Sequence, residues 1–188
     1  MAKPFKSTRR GITGHFEPGE VRLLGSLFSD IITMLEPDTA PSTDPLAAMV
    51  GVDAEAARPE DSALQRLLPD AVRDDDAEAL EFRRLTERSL REQKIGALRS
   101  SALLIENNPV TLNPEQGRLM AQAFNDVRLV LADRLGIETD EDAARLHGID
   151  DFADAEDVEA YLALVYNFVT WLQESLLQAL LSSTRTAR

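Results

Sequence analysis

One arginine of this chain lies where its neighbours predict a hydrophobic helix face. Arg128 follows Phe124 by four residues and precedes Leu131 by three, so the three side chains share one face of a predicted helix. A guanidinium removed from water needs a charged or hydrogen-bonding partner, because unpaired burial is strongly unfavourable. The pattern therefore predicts a buried polar contact at Arg128.

The last predicted helix offers partners for this arginine. Its polar residues recur at spacings of three and four, on one helix face: Asn167, Thr170, Glu174 and Gln178. We predict that Arg128 pairs with Glu174 across the helix interface and that Asn125 and Asn167 complete the network. Such a network fits a polar pair that fixes helix register, and it also fits a ligand or partner site.

Other constellations with known chemistry are missing from the sequence. The chain has no cysteine, which excludes disulfides, thiolate metal sites and thiol redox switches. Neither His15 nor His147 has the Glu-x-x-His spacing of carboxylate-bridged metal sites. The serine-nucleophile and phosphate-loop motifs are absent too. We therefore predict no metal, no cofactor and no enzymatic activity.

The charge of the chain argues against nucleic acid as its main partner. The formal net charge is -13, and a field of that sign repels phosphate but suits basic protein partners. Residues 1–16 form a basic lead that could touch nucleic acid but is predicted to fray; its cations are Lys3, Lys6, Arg9 and Arg10. Glu87 and Arg91 have the spacing of an ion pair on a solvated helix face. The longest apolar run carries polar residues, so we predict no membrane span and a cytoplasmic protein.

Helix-start and helix-stop signals divide the chain into elements. The periodicity predicts long helices over residues 18–35, 76–106, 114–135 and 154–182, and a brief one after residue 139. Pro18 and Pro114 suit first helical positions, where the missing N–H has no intrahelical partner. Asn113 and Gln116 have the spacing of a capping box, and Gly136 suits a helix stop.

These elements predict an all-α fold. Each long helix has one apolar face, so a single bundle of about four long helices plus short helices buries them all. We predict one helical domain over residues 17–183 with a mobile Pro-rich loop at 37–62. The basic extended lead at 1–16, which could include a short edge strand, precedes it, and a frayed tail at 184–188 follows.

Three blocks of sequence carry a resemblance to a known family. They are "LQRLLPDAVRDDDAEALEFRRLTERSLREQK", "FNDVRLVLADRLGI" and "YNFVTWLQESLLQALL", and the segment "FEPGEVRLLGSLFSDIITML" also fits. Together they resemble an actinobacterial family of small helical proteins, a domain of unknown function whose members are described as AosR-type oxidative-stress regulators. The resemblance spans most of the chain and leaves out the Pro-rich segment.

This resemblance implies regulation through protein contacts. Family members are described as acting with a stress sigma factor, and their sensing uses a cysteine pair that this chain lacks. The leading hypothesis is therefore a non-enzymatic regulatory interaction module whose partner is a sigma factor or RNA polymerase. One alternative, from the family's gene neighbourhood, is an accessory or adaptor protein in Clp-type regulated proteolysis. Another is a small-molecule binder or enzyme that uses Arg128 and Glu174.

The oligomeric state stays open at this stage. The end of the last helix has a surplus of apolar residues: Leu176, Leu177, Leu180 and Leu181. These side chains could form a homodimer seam or complete the core of a monomer.

Overall fold

The computed structural model describes residues 2–36, 57–146 and 157–186. In chain order the elements are β1 (Lys3–Thr8), β2 (Gly11–His15), α1 (Pro18–Leu35), α2 (Ser62–Leu67), α3 (Asp76–Glu106), β3 (Val110–Leu112), α4 (Pro114–Arg134), α5 (Asp140–Leu146) and α6 (Val158–Thr186). Most of the predicted Pro-rich loop, His147 and the predicted helix start at residue 154 lie outside the described residues.

The long helices α1, α3 and α4 begin where their local chemistry predicts. Asp75 caps α3, because its carboxylate accepts hydrogen bonds from the backbone N–H groups of Ala77 and Glu78. At α4, Asn113 and Gln116 each accept a hydrogen bond from the other's backbone N–H, which is the predicted capping box. Gly136 follows α4 with φ of +63°, a conformation that suits a helix stop.

A small sheet corrects the all-α prediction. The three strands are antiparallel in the order β1-β2-β3, so β2 is the central strand and not an edge strand. The strands are short, and β2 pairs with β3 through residues such as Gly14 and Val110, which are far apart in sequence. The central strand and β3 bury alternate residues, but they are only five and three residues long, too short for this alternation to stand out in the sequence.

The basic lead is part of the core, so the expectation that it frays is wrong. The ring of Phe5 is buried, with its centroid 5.9 Å from that of Phe16 and 6.4 Å from that of Phe124. Its backbone N–H donates to Ser175 Oγ on α6 at 3.2 Å. The lead's cationic side chains point to solvent while Phe5 fixes β1 on α6. Residues 2–16 therefore belong to the same folded body as the helices.

The helices pack around α4. Both α3 and α6 pack against α4, α1 packs on α3, and β1 packs on α6. Fully buried side chains such as Phe28, Phe124 and Met120 fill the space between these elements. Within the described ranges, none of the helices has the length and apolarity needed to cross a membrane.

Gly11 lies at a turn and has a backbone conformation that residues with a Cβ rarely adopt. Its φ is +126°, and a Cβ there would lie 2.5 Å from the carbonyl oxygen of Leu112. We expect Gly11→Ala to lower the free energy of unfolding by about 2 kcal/mol, because backbone strain and a backbone clash add. Gly25 of α1 is the matched control, since its Cβ would meet nothing within 4 Å; Gly25→Ala should stabilise by about 0.5–1 kcal/mol. Urea unfolding measures the change in unfolding free energy for both variants. Equal changes would show that the conformation of Gly11 does not require glycine.

Candidate functional site

Arg128 makes the predicted polar contact, but its partners are neutral. Its Nε donates to Thr170 Oγ1 at 2.9 Å and its Nη1 to Gln173 Oε1 at 2.7 Å. The guanidinium carbon lies 5.5 Å from the ring centroid of Tyr166, a cation–π distance. These contacts hold α4 in register with α6, and they satisfy the guanidinium without a carboxylate from the described residues.

The predicted pairing of Arg128 with Glu174 is wrong. Glu174 is exposed, because the buried face of α6 turns Gln173, the residue before it, toward α4. Asn167 is half-buried on α6, and Asn125 is exposed on α4. Asn125 belongs instead to the border of a neighbouring groove.

Substitution at Arg128 tests its neutral partners. Arg128→Met should lower the free energy of unfolding by about 1–3 kcal/mol, because buried acceptors on Thr170 and Gln173 lose their donor. Glu174→Gln removes the acid that the sequence favoured and should change stability by less than about 0.5 kcal/mol. Thermal and urea unfolding of both variants distinguish the neutral partners from an acidic partner of Arg128. A loss of unfolding free energy in Glu174→Gln as large as that in Arg128→Met would instead support pairing of Arg128 with Glu174.

A groove runs beside this contact, between α3 and α6. Its volume is about 450 Å³. Since α3 and α6 both pack on α4, α4 forms its floor and the other two helices form its walls. We call this the α3–α4–α6 groove, and its apolar lining is Leu90 and Ala97 of α3, Ala121 of α4, and Leu177 and Leu180 of α6.

A buried ion pair lies in the lining of the groove. Lys94 Nζ of α3 is 2.6 Å from Asp126 Oδ1 of α4, and the Asp126 side chain is only 3% exposed. Burial raises the pKa of the Asp126 carboxyl, and the bond from Lys94 acts in the opposite direction. Sequence reasoning missed this pair. The sequence did contain a signal, because Asp126 lies on the apolar face of the helix. It adjoins Val127 and follows Ala123 by three residues, and both of those side chains are fully buried.

Exposed polar side chains border the groove. Arg118, Gln122 and Asn125 follow one another along α4 at helical spacing, and Gln93 faces them from α3. Within the ranges that the structure describes, Arg118 forms no ion pair. The groove is therefore open along its length and has an available cation at its edge.

A second polar cluster was also missed by sequence reasoning. Arg83 of α3 is only 6% exposed; it donates to the Leu68 carbonyl at 2.9 Å, to Asp70 at 2.8 Å and to Glu87. The predicted pair between Glu87 and Arg91 forms, but its side chains are largely buried and not on a solvated face. A cavity of about 230 Å³ adjoins Arg83.

This cluster ties three parts of the chain together. Asp70 also pairs with Arg58 at 2.7 Å, and Arg91 donates to the Leu35 carbonyl at the end of α1 at 2.9 Å. The cations hold the pKa of Asp70 below its usual range, chiefly through the hydrogen bond from Arg83. These contacts connect the end of α1, the segment before α3, and α3 itself, so the cluster stabilises the packing of the three.

Among the residues that the structure describes, no group of three or more histidine, aspartate or glutamate side chains is placed to hold a metal ion.

Comparison with known proteins places the chain in a family. Residues 2–180 match the sequence model described as Domain of unknown function (DUF2017). No curated protein and no solved structure matches the chain. The match includes the sheet, the groove and the Arg83 cluster. Because it covers most of the chain, the chain belongs to the DUF2017 family.

Proposed function

We propose that this protein is a non-enzymatic regulatory module that binds another protein through the α3–α4–α6 groove. The observation that carries the proposal is the groove itself, which combines an apolar lining with an arginine, Arg118, that forms no ion pair with the described residues of an acid-rich chain. Leu177 in its wall is 43% exposed, so apolar surface is available for contact.

The openness of the groove favours a macromolecular partner over a small molecule. Small-molecule sites usually bury about 70–90% of their ligand. Here Gln93, Arg118, Gln122 and Asn125 are exposed along the border, so a small ligand would stay largely in water. Protein interfaces instead combine apolar side chains with arginine at their centres, and helices commonly dock in grooves of this kind.

The sequence resemblance supports a partner in transcription. The blocks at 64–94, 124–137 and 166–181 resemble AosR-type regulators of actinobacteria, which implies a sigma factor or RNA polymerase as the partner. Without cysteine, the chain receives its signal by a route other than its own thiols. A net charge of -13 would speed association with a partner that is basic overall.

Affinity purification tests the proposal. The full chain would be purified from its own cells, grown with and without oxidant, and the proteins that co-purify would be identified by mass spectrometry. We expect a sigma factor or polymerase subunit to be enriched over an unrelated bait of similar negative charge. Recovery of neither protein under either condition would overturn the transcriptional role.

A further inference from the structure

We propose that the partner segment in the α3–α4–α6 groove is an amphipathic helix whose carboxylate pairs with Arg118. This inference rests on the proposed function and names the chemistry of the partner at the same site. It follows from the spacing of the lining residues, from the charges at the groove and from the charge of the whole chain.

The lining residues repeat at helical spacing on the three helices. Leu90, Lys94 and Ala97 lie within two turns of α3, and Gln173, Leu177 and Leu180 lie within two turns of α6. The groove therefore presents parallel rows of side chains over about 10 Å of helix length. Rows of this length accept apolar anchors at positions i, i+3 or i+4, and i+7 of a docked helix.

The charges select an acidic side chain on that helix. Asp126 already neutralises Lys94, whereas Arg118 is exposed and forms no ion pair with the described residues. The chain contains 33 acidic residues, and none of those that the structure describes forms an ion pair with Arg118 beside the apolar groove. An arginine at such an edge pairs with a carboxylate through two parallel hydrogen bonds, which adds geometric specificity.

A second copy of this chain fits the groove less well. Each copy has a formal charge of -13, so two copies repel as they approach. A partner that is basic overall but has an acidic docking helix avoids that repulsion and still satisfies Arg118.

Photo-crosslinking in cells tests the occupant. A photoreactive amino acid would replace Gln122 in the groove, or the exposed Thr33 of α1 as the control. Mass spectrometry would then identify the crosslinked peptide of the partner. We expect Gln122 alone to crosslink to the partner, at a segment with leucine-type residues at helical spacing and a flanking glutamate or aspartate.

Charge reversal then tests the role of Arg118 with the purified partner. Arg118→Glu should weaken binding by roughly tenfold or more, since it places like charges together. Arg22→Glu, on the exposed surface of α1, changes the net charge by the same amount and should leave binding nearly unchanged. Replacing the partner's acid with arginine should restore binding to Arg118→Glu.

Four results would overturn the inference. One is a partner that co-purifies with the full chain but neither crosslinks at Gln122 nor loses affinity with Arg118→Glu; the proposed function would then stand without this groove. Another is a crosslinked segment that is basic, and a third is a second copy of this chain. The fourth is a rise in the melting temperature of the wild type, but not of Arg118→Glu, when inorganic phosphate alone is added. That result would show that Arg118 binds small anions instead of a partner helix.

Discussion

Phe124→Ala is expected to lower the free energy of unfolding by about 4 kcal/mol. Phe124 is fully buried, and its ring centroid lies 6.4 Å from that of Phe5 and 6.1 Å from that of Phe28. The aromatic cluster joins β1, α1 and α4, so the cavity left by truncation cannot close by moving one element alone. Small domains have only about 5–15 kcal/mol of total stability, which makes this a large fraction.

Two further variants serve as references for Phe124→Ala. Phe82 of α3 is 48% exposed, so Phe82→Ala should cost less than about 1 kcal/mol for the same chemical change. Phe124→Leu retains part of the volume and should fall between the two, which preserves a measurable folded state if the alanine variant fails to fold. Urea unfolding with a common slope gives the three values. Equal losses at Phe124 and Phe82 would contradict the packing described here.

Arg83→Met is expected to cost about 3 kcal/mol, the low end for breaking a buried ion pair. Methionine fills much of the arginine volume, so the loss reports charge more than packing. Asp70 and Glu87 would lose their shared cation, although Asp70 keeps Arg58 and Glu87 keeps Arg91. These remaining partners are the reason for choosing the low end of the range.

The pH dependence of that loss distinguishes charge from shape. The pKa of Asp70 is lowered in the folded state, so its contribution is present at neutral pH and disappears as pH falls below the usual aspartate range. The difference in unfolding free energy between wild type and Arg83→Met should therefore shrink as pH falls below that range, toward the lowered pKa of Asp70. Arg84→Met, at a solvent-accessible pair with Glu81, is the control and should leave stability nearly unchanged at every pH, because solvent screens that pair. A difference that does not change with pH would indicate lost packing alone.

Helix positions could be predicted because their signals are local. Pro18, Asp75 and Asn113 mark helix starts through backbone geometry and capping bonds within three residues of each start. Gly136 marks a stop through its own φ. None of these signals depends on how the helices pack, so the sequence contains them in full.

The sheet could not be predicted because it depends on distant pairing. Val110–Leu112 is a strand of only three residues, and it pairs with a segment about a hundred residues earlier. Gly14 illustrates the same problem. A Cβ there would lie 2.6 Å from the Phe5 ring, so the glycine serves a close approach that only the folded chain reveals.

The partner of Arg128 depended on the rotation of α6. Gln173 and Glu174 differ by one residue, which is about 100° of helix rotation. Burial of Val169 and Leu176 fixes that rotation and turns Gln173 inward. The sequence identified a polar contact at Arg128 but could not decide between adjacent positions.

The Arg83 cluster shows a signal that was present but overlooked. Arg83 lies four residues after Ala79 and seven before Leu90, which places it on the buried stripe of α3. Arg83 therefore shares the feature that pointed to Arg128, an arginine on an apolar helix face. The α3–α4–α6 groove differs, because it exists only when three separate helices are assembled.

Recovery of the partner by two matched leucine variants decides whether the partner binds in the α3–α4–α6 groove. Leu177 lines the groove and Leu103 lies elsewhere on α3; they are 43% and 64% exposed, so either leucine can be replaced by aspartate without burying a charge. Affinity purification with quantitative mass spectrometry would compare both variants with the wild type. We expect Leu177→Asp to lower recovery of the partner roughly tenfold, while Leu103→Asp recovers it as the wild type does. Equal recovery by the two variants would show that the partner does not bind in the groove.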